Sequence, residues 1–403
     1  MKFTVERDAL GEAVTWAARA LPTRPVIPVL GGLLLRAEDD GLTVSCFDYE
    51  VSARMRIPAD VSEPGTVLVP GRLLTEITRS LPGRPVDFAD DPDGMSMTCG
   101  EAAFIVATLP PGEYPELPDL PLLAGEAEGG VLAAAISQVT PAASRDDTLP
   151  MLTAVSLELS AESMTLAATD RYRLAVRDLE WSAAPWIGEQ VREAGKAAVL
   201  VPARLLADAA KMMSPGVPVR ILLRETGADG GDAMIGFETG ARRLTTRLLA
   251  GEFIRYRSRF PEEFGCTADL PAEAFAEAVR RVSLVAERGT PVQLSFAPGR
   301  VTVGAGTQGQ ARARETVPAN FTGDEPIIAF SPLYLLDGVL AAAAAAAPDH
   351  PHAHADPHDP DATRVRLQFT SASKPAVISK GQAGSASTAS DFRYLVVPQR
   401  VQA

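Results

Sequence analysis

All four histidines of this 403-residue chain, His350, His352, His354 and His358, fall in one short stretch. Asp349, Asp356 and Asp359 stand among them, and Pro351, Pro357 and Pro360 break the run. Imidazole and carboxylate together can hold zinc or nickel. Proline between ligands resists tetrahedral closure, and a solvated loop offers no packed frame, so the stretch reads as adventitious metal affinity rather than a built site. With no histidine elsewhere, a Ser-His-Asp or Cys-His pair has no base in the folded part of the chain. An acidic hydrolase would need such a base within reach of a nucleophile. No P-loop is present, and Asp146-Asp147 is an ordinary surface carboxylate pair. Gly304-Ala-Gly306-Thr-Gln-Gly309 fits the dinucleotide pattern G-x-G-x-x-G, which requires a helix next. Gln310-Ala-Arg-Ala-Arg-Glu-Thr-Val alternates as a strand does, so a hairpin is expected there. No cofactor and no catalytic set are expected.

Basic residues recur instead. Arg72 and Arg79, Arg204 and Lys211, and Arg281 and Arg288 are each seven apart, a spacing that places two side chains on one face of a helix; Arg280 stands beside the last pair. A lining of such helices would neutralise phosphates without reading bases, giving non-specific, salt-sensitive contact. The net charge of −13 argues against a coat of nucleic acid, yet what matters is where the basic groups lie.

The elements that must position these groups are written three times. Val67-Leu-Val-Pro70-Gly-Arg-Leu73-Leu74-Thr-Glu-Ile77 returns as Val199-Leu-Val-Pro202-Ala-Arg-Leu205-Leu206-Ala-Asp-Ala209, and, worn, as Ile328-Ala-Phe-Ser-Pro332-Leu-Tyr-Leu335-Leu336-Asp-Gly338. A period of about 130 residues is a domain, so the chain reads as three similar domains, half of a six-fold object that can close into a ring. The expected boundaries are 1–124, 125–262 and 263–403. The Pro-rich stretch Pro115–Leu123 and the segment Glu252–Cys266 serve as linkers, and 341–361 reads as an Ala/His/Pro-rich insertion. Apolar residues at 46% and charged residues at 22% are those of a soluble globular chain. The opening carries no secretory signal, and the alanine run Ala341–Ala347 is too short to span a bilayer. Cys46, Cys99 and Cys266 follow no metal spacing, and a reducing cytoplasm is the simplest home.

Within each third, helical periodicity marks Glu6–Ala20, Gly71–Leu81, Val131–Val139 and Ala272–Ala286. Strand alternation marks Gly32–Arg36, Leu42–Cys46, Val51–Ile57, Met95–Cys99, Ala103–Leu109, Ala154–Leu159, Met164–Ala168 and Tyr172–Asp178. A final helix starts near Leu333 and runs into the alanines. Two helices and several strands per half-repeat are expected, with sheets outside and paired helices on one face, an α+β class.

The chain resembles the bacterial sliding clamps, the β subunits of DNA polymerase III. The marks are Met1-Lys-Phe-Thr-Val-Glu-Arg7, Thr23-Arg24-Pro25-Val-Ile-Pro28-Val-Leu30 and Ser144-Arg-Asp-Asp-Thr-Leu-Pro-Met-Leu152. They continue in Ala168-Thr-Asp-Arg-Tyr-Arg-Leu-Ala175, Gly251-Glu-Phe253 and Tyr394-Leu-Val-Val-Pro398-Gln-Arg400. The resemblance implies three tandem clamp domains and a head-to-tail homodimer, a ring with helices inside and sheets outside. Such a ring surrounds double-stranded DNA without sequence preference, is loaded by a clamp loader, and makes no use of a membrane. Arg24 matches a DNA-touching position. The resemblance also implies a groove that accepts a short peptide motif from the replicative polymerase, the loader and other partners. Its matching positions are Leu152, Thr169, Arg171, Tyr172, Arg173, Leu174, Ile254, Ser258, Arg259, Leu395, Val397, Pro398, Gln399 and Arg400.

The chain departs from the family pattern at this groove. Ile254 follows Gly-Glu-Phe where proline is usual, although Gly112-Glu-Tyr-Pro115 keeps it. Arg259 stands in place of an aliphatic residue, and Val397 and Gln399 flank Pro398 where methionines are common. An arginine and a branched side chain should reshape an apolar groove. One alternative is therefore a second clamp whose groove refuses an inhibitory ligand, a form of antibiotic resistance. Another is a clamp-fold interaction hub that does not surround DNA.

Overall fold

The computed structural model describes residues 1–38, 41–194, 197–224, 232–287, 289–306, 311–324, 326–344, 363–381 and 391–400. The His/Asp stretch, Arg288 and the end of the alanine run lie outside the described residues.

Six times a strand runs straight into a helix. Lys2–Val5 leads to α1 (Arg7–Ala17), Gly65–Pro70 to α2 (Gly71–Ser80) and Leu122–Glu128 to α3 (Gly129–Val139). After a further helix, α4 (Pro185–Ala194), Ala197–Pro202 leads to α5 (Ala203–Ala210), Cys266–Pro271 to α6 (Ala272–Ser283) and Ile327–Phe330 to α7 (Pro332–Ala344). Each half-repeat thus contributes one such helix, not the two expected. Glu6–Ala20 shortens to α1 and a 3-10 turn at Ala18–Ala20. Many strands escaped the sequence reading, among them Lys2–Val5, Val86–Asp91, Leu122–Glu128, Pro218–Arg224, Met234–Thr239, Arg242–Arg247 and Val292–Ala297, and so did α4.

The third copy of the repeated segment sits one residue out of the register read from its proline. Pro70 and Pro202 immediately precede their helices, whereas Pro332 is the first residue of α7. Proline tolerates either place because a first-turn N–H needs no partner. The backbone confirms the shift: Leu68, Leu200 and Ala329 each form an isolated antiparallel bridge, to Leu109, Leu249 and Gln399. These three lie two residues before Pro70, Pro202 and Ser331. The residues buried on the helices then agree, Leu74, Leu206 and Leu335.

The chain divides into two compact units. The first comprises Met1–Gly129, Ser182–Trp186 and Lys211–Leu248. It holds a five-stranded sheet, ordered Asp60–Glu63, Lys2–Val5, Val86–Asp91, Gly94–Cys99, Ala102–Val106. Its nine-stranded sheet joins strands distant in sequence where Val51–Ile57 pairs antiparallel with Arg242–Arg247. Trp16 of α1 clamps that junction, its indole N–H donating to the carbonyls of Arg54 and Arg243. The second unit comprises Gly130–Trp181, Ile187–Ala210 and Leu249–Ala403. Its nine-stranded sheet joins Arg173–Glu180 to Phe392–Val396, and its four-stranded sheet has Arg312–Pro318 at one edge. Every described pairing between strands is antiparallel. Arg300–Gly306 pairs with Arg312–Pro318, so the glycine pattern opens a hairpin and no dinucleotide helix follows. Among the described residues no helix is long and apolar enough to cross a membrane.

Candidate functional site

The segment Thr169–Arg173 of the second unit turns sharply, and its side chains hold the turn. Asp170 Oδ1 accepts the N–H groups of Tyr172 and Arg173, each at 3.0 Å. Thr169 Oγ1 donates to the Arg173 carbonyl at 2.6 Å and accepts from Arg171 N at 3.2 Å. Arg171 pays for the turn with φ of 80°, a left-handed conformation costing a non-glycine residue about 1–2 kcal/mol. Arg173 is buried and ties the turn to two other elements. Its Nε donates to Asp170 at 2.9 Å, its Nη1 pairs with Asp337 of α7, and its guanidinium lies 4.4 Å from the Tyr334 ring centroid. Tyr394 donates to the Tyr334 carbonyl at 2.9 Å. Gly338 lets α7 approach: a Cβ there would sit 2.5 Å from the Tyr394 ring.

Beneath this turn lies an apolar floor. Leu174 and Leu395 are direct cross-strand partners, and with Ala167, Val176 and Tyr256 they form one buried cluster. Phe253, Phe260 and Val397 pack against it. Val397 is held beside Tyr172, to whose carbonyl its N–H donates at 2.9 Å. Burying a leucine here contributes about 1.5–3 kcal/mol. Tyr172 stays exposed above, stacked at 6.3 Å on Tyr334. An apolar floor under an exposed aromatic rim suits an extended peptide with large apolar side chains.

The structure therefore brings together Tyr172, Leu174, Leu395 and Val397. Thr169 and Arg173 are nearby but turned inward, their polar atoms spent on the fold. Leu152 is buried on a 3-10 turn (Pro150–Leu152), outside the cluster. Ile254, Ser258 and Arg259 are exposed on the segment that carries Phe253, Tyr256 and Phe260. Arg259 donates its backbone N–H to the Tyr256 carbonyl at 2.8 Å, and its guanidinium has no ion pair among the described residues. Pro398 is half-buried; Gln399 and Arg400 leave for a separate depression lined also by Gln293, Arg312 and Arg314. Phe253, Tyr256 and Phe260 were missed by the sequence reading, although three aromatics in a Pro/Gly-rich linker are a signal of packing. Tyr256 is buried, and among the described residues its hydroxyl has no hydrogen-bond partner of good geometry, although Glu158 is near; burial first, then the charge of Glu158, push its phenol above the ordinary range. Tyr256→Phe should consequently leave urea-unfolding stability unchanged or raise it by up to about 1 kcal/mol. A loss beyond that would reveal a bond the hydroxyl makes.

The basic residues fare unequally. In the first unit Arg24, Arg72 and Arg79 are exposed, and Arg72 Nη2 donates to the Thr23 carbonyl at 2.7 Å, joining α2 to the loop that carries Arg24. Arg72 and Arg79 share α2 as expected. In the second unit Arg204 is exposed on α5, but that helix ends at Ala210, so Lys211 does not share it. Helix α6 ends at Ser283, short of Arg288. Arg280 pairs with Glu277, and Arg281 forks onto Glu315 at 2.6 and 3.0 Å. The Arg281 hydrogen bonds hold the Glu315 carboxyl below its usual range. These two arginines carry their counter-charges with them. Among the described residues no three His, Cys, Asp or Glu side chains gather as metal ligands, and His350, His352, His354 and His358 lie outside them.

Three consecutive segments match one family. Residues 1–118 match the N-terminal domain of the DNA polymerase III beta subunit, 126–254 its central domain and 257–347 its C-terminal domain. The chain is 46% identical over 402 residues to the beta sliding clamp of Streptomyces coelicolor, covering 100% of both. It is 39% identical over 400 residues to the beta sliding clamp homolog GriR of Streptomyces muensis, covering 99% of both. Among solved structures, the DNA polymerase sliding clamp from Bacillus subtilis matches with a TM-score of 0.85 at 25% identity over 100% of both chains.

Proposed function

The chain belongs to the DNA polymerase III β-subunit family, the bacterial sliding clamps, and from that membership we propose that it is a replication processivity factor. The observation that carries this is the unbroken series of three β-subunit domains, in an α+β chain similar from end to end to a Streptomyces clamp. Two copies meet head to tail around duplex DNA, helices inward and sheets outward, with domains at 1–124, 125–262 and 263–403. The ring acts by topology in the cytoplasm and needs no catalytic group or cofactor. A clamp loader places it, and the groove floored by Leu174 and Leu395 tethers the polymerase and other partners. Exposed Arg24, Arg72, Arg79 and Arg204 support loose phosphate contact that weakens with salt. Arg280 and Arg281 join them less strongly, since each must share its charge with a carboxylate.

The experiment is retention on nicked circular DNA after loading, followed by linearisation. The ring reading expects retention on the circle and loss from the linear form. A chain that never stays on the circle, and scatters light as a monomer at micromolar concentration, is the interaction hub instead.

Arg259, exposed and without an ion pair among the described residues, stands on the segment that packs against the apolar cluster and favours a second reading, a groove altered against an inhibitor. Arg259→Leu should then tighten a groove-directed inhibitor by about tenfold, roughly 1.4 kcal/mol, and a polymerase-tail peptide far less. Calorimetry with both ligands decides: an equal change for the two, or none for either, ends this reading.

A further inference from the structure

Across the nine-stranded sheet of the first unit, one cross-strand row reads Glu126, Arg220, Glu238, Arg243, Arg54 and Ser45, each the direct partner of the next. Charge alternates along it until Arg243 meets Arg54. There two arginines are direct cross-strand partners. Glu238 has nothing left for the second: its Oε1 accepts from Arg220 at 2.6 Å and its Oε2 from Arg243 Nε at 2.7 Å. Arg54 is half-buried and makes no ion pair among the described residues. Two residues along the same strand stands Arg56, opposite Thr43, which is itself opposite Arg36. Burial first, then the charges of Arg243 and Arg36, push the Arg54 guanidinium below its ordinary pKa, with Glu38 acting against them.

Like charges directly opposite on a sheet destabilise it, so this pair is costly unless a negative charge arrives from outside. A cavity of about 460 Å³ opens beside the pair, lined by Arg54, Arg56, Arg242, Arg243, Thr43 and the turn at Gly240-Ala241, with Ile57 and Pro58 at its side. Glu238 also lines it, its carboxylate held by Arg220 and Arg243, and Arg242 pairs with Glu12. Arg54, with Arg56 and the Thr43 hydroxyl at the same cavity, supplies the donors that a tetrahedral oxyanion takes, while Arg243 already holds Glu238 and adds its charge. We propose that this cavity between strands Val51–Ile57 and Arg242–Arg247 binds an oxyanion of the phosphate class. The site belongs to the first unit, does not involve the peptide groove, and gives a strongly acidic chain a local cationic excess.

The test is calorimetric titration of the full chain in a phosphate-free buffer with inorganic phosphate, and separately with O-phosphoserine. Tighter binding of the free ion assigns a free anion; tighter binding of the ester assigns a phosphorylated group, the apolar side of the cavity taking its carbon. Arg54→Gln should weaken phosphate at least about tenfold, and Arg300→Gln, an exposed change in the other unit, should leave it unaltered. Phosphate should also raise the melting temperature of the parent protein but not of R54Q. If R54Q itself unfolds, the exposed neighbour Arg56→Gln reads the same loss of phosphate affinity. The proposal is overturned if the parent protein binds no phosphate, if chloride at matched ionic strength acts equally, or if the folded variants bind as the parent does.

Discussion

If the chain forms the proposed ring, Ile105→Asp should leave it monomeric at concentrations where the parent chain pairs. Strand Ala102–Val106 is the edge of the five-stranded sheet, with hydrogen-bonding groups unpaired along one side, and Ile105 is 58% exposed upon it. In the second unit, Arg312–Pro318 is likewise an unpartnered edge, and Leu284 just beyond α6 is 83% exposed. An open strand edge bearing an exposed isoleucine invites pairing, and proteins that keep such an edge usually cover it. If one copy's first-unit edge docks on its partner's second-unit edge, the contact is head-to-tail and two copies close it. An aspartate at 105 would bury an unpaired carboxylate in each of two seams. The expected loss is roughly 3 kcal/mol per seam, so the two seams together weaken the dimer by about 10⁴-fold. Sedimentation velocity over a concentration series reads it, and retention on circular DNA should fall in parallel. A dimer as tight as the parent would place the seam elsewhere.

The repeat was legible because its signal is local: an apolar run, a proline and an amphipathic turn recur with little change. Even so, Pro332 misled the register of the third copy, since proline fits both the position before a helix and its first residue. Leu122–Glu128 was hidden by the prolines ahead of it and by Gly125 and the glutamates, which weaken alternation. The arginine spacing was legible, but where each helix stops was not. Nothing in Lys211 or Arg288 signals that α5 and α6 end before them. The family resemblance named Tyr172, Leu174, Leu395 and Val397 as groove positions, and the structure gathers them at one apolar cluster. The ion pairs of Arg173 could not be read from pattern. Its partner Asp337 is 164 residues away, and only the assembled sheet brings them together.

That partnership sets the larger stability effect. Arg173→Met should cost about 3–5 kcal/mol in urea unfolding, because it leaves the side chains of Asp170 and Asp337, exposed by only 11% and 25%, facing each other without a cation. The methylene stem survives in methionine, so lost packing contributes little. Arg173→Lys should fall between, since an ammonium cannot fork to both carboxylates or stack as broadly on Tyr334. In the proposed groove the turn Thr169–Arg173 is one wall, so affinity for a polymerase-tail peptide should weaken along with stability in R173M. Asp337→Leu added to R173M separates the causes. If the uncompensated carboxylate is responsible, the double variant recovers much of the loss, and the coupling between the two positions is large. If R173M unfolds as the parent does, the ion pairs are ornaments on a turn that Asp170 and Thr169 already hold through the backbone.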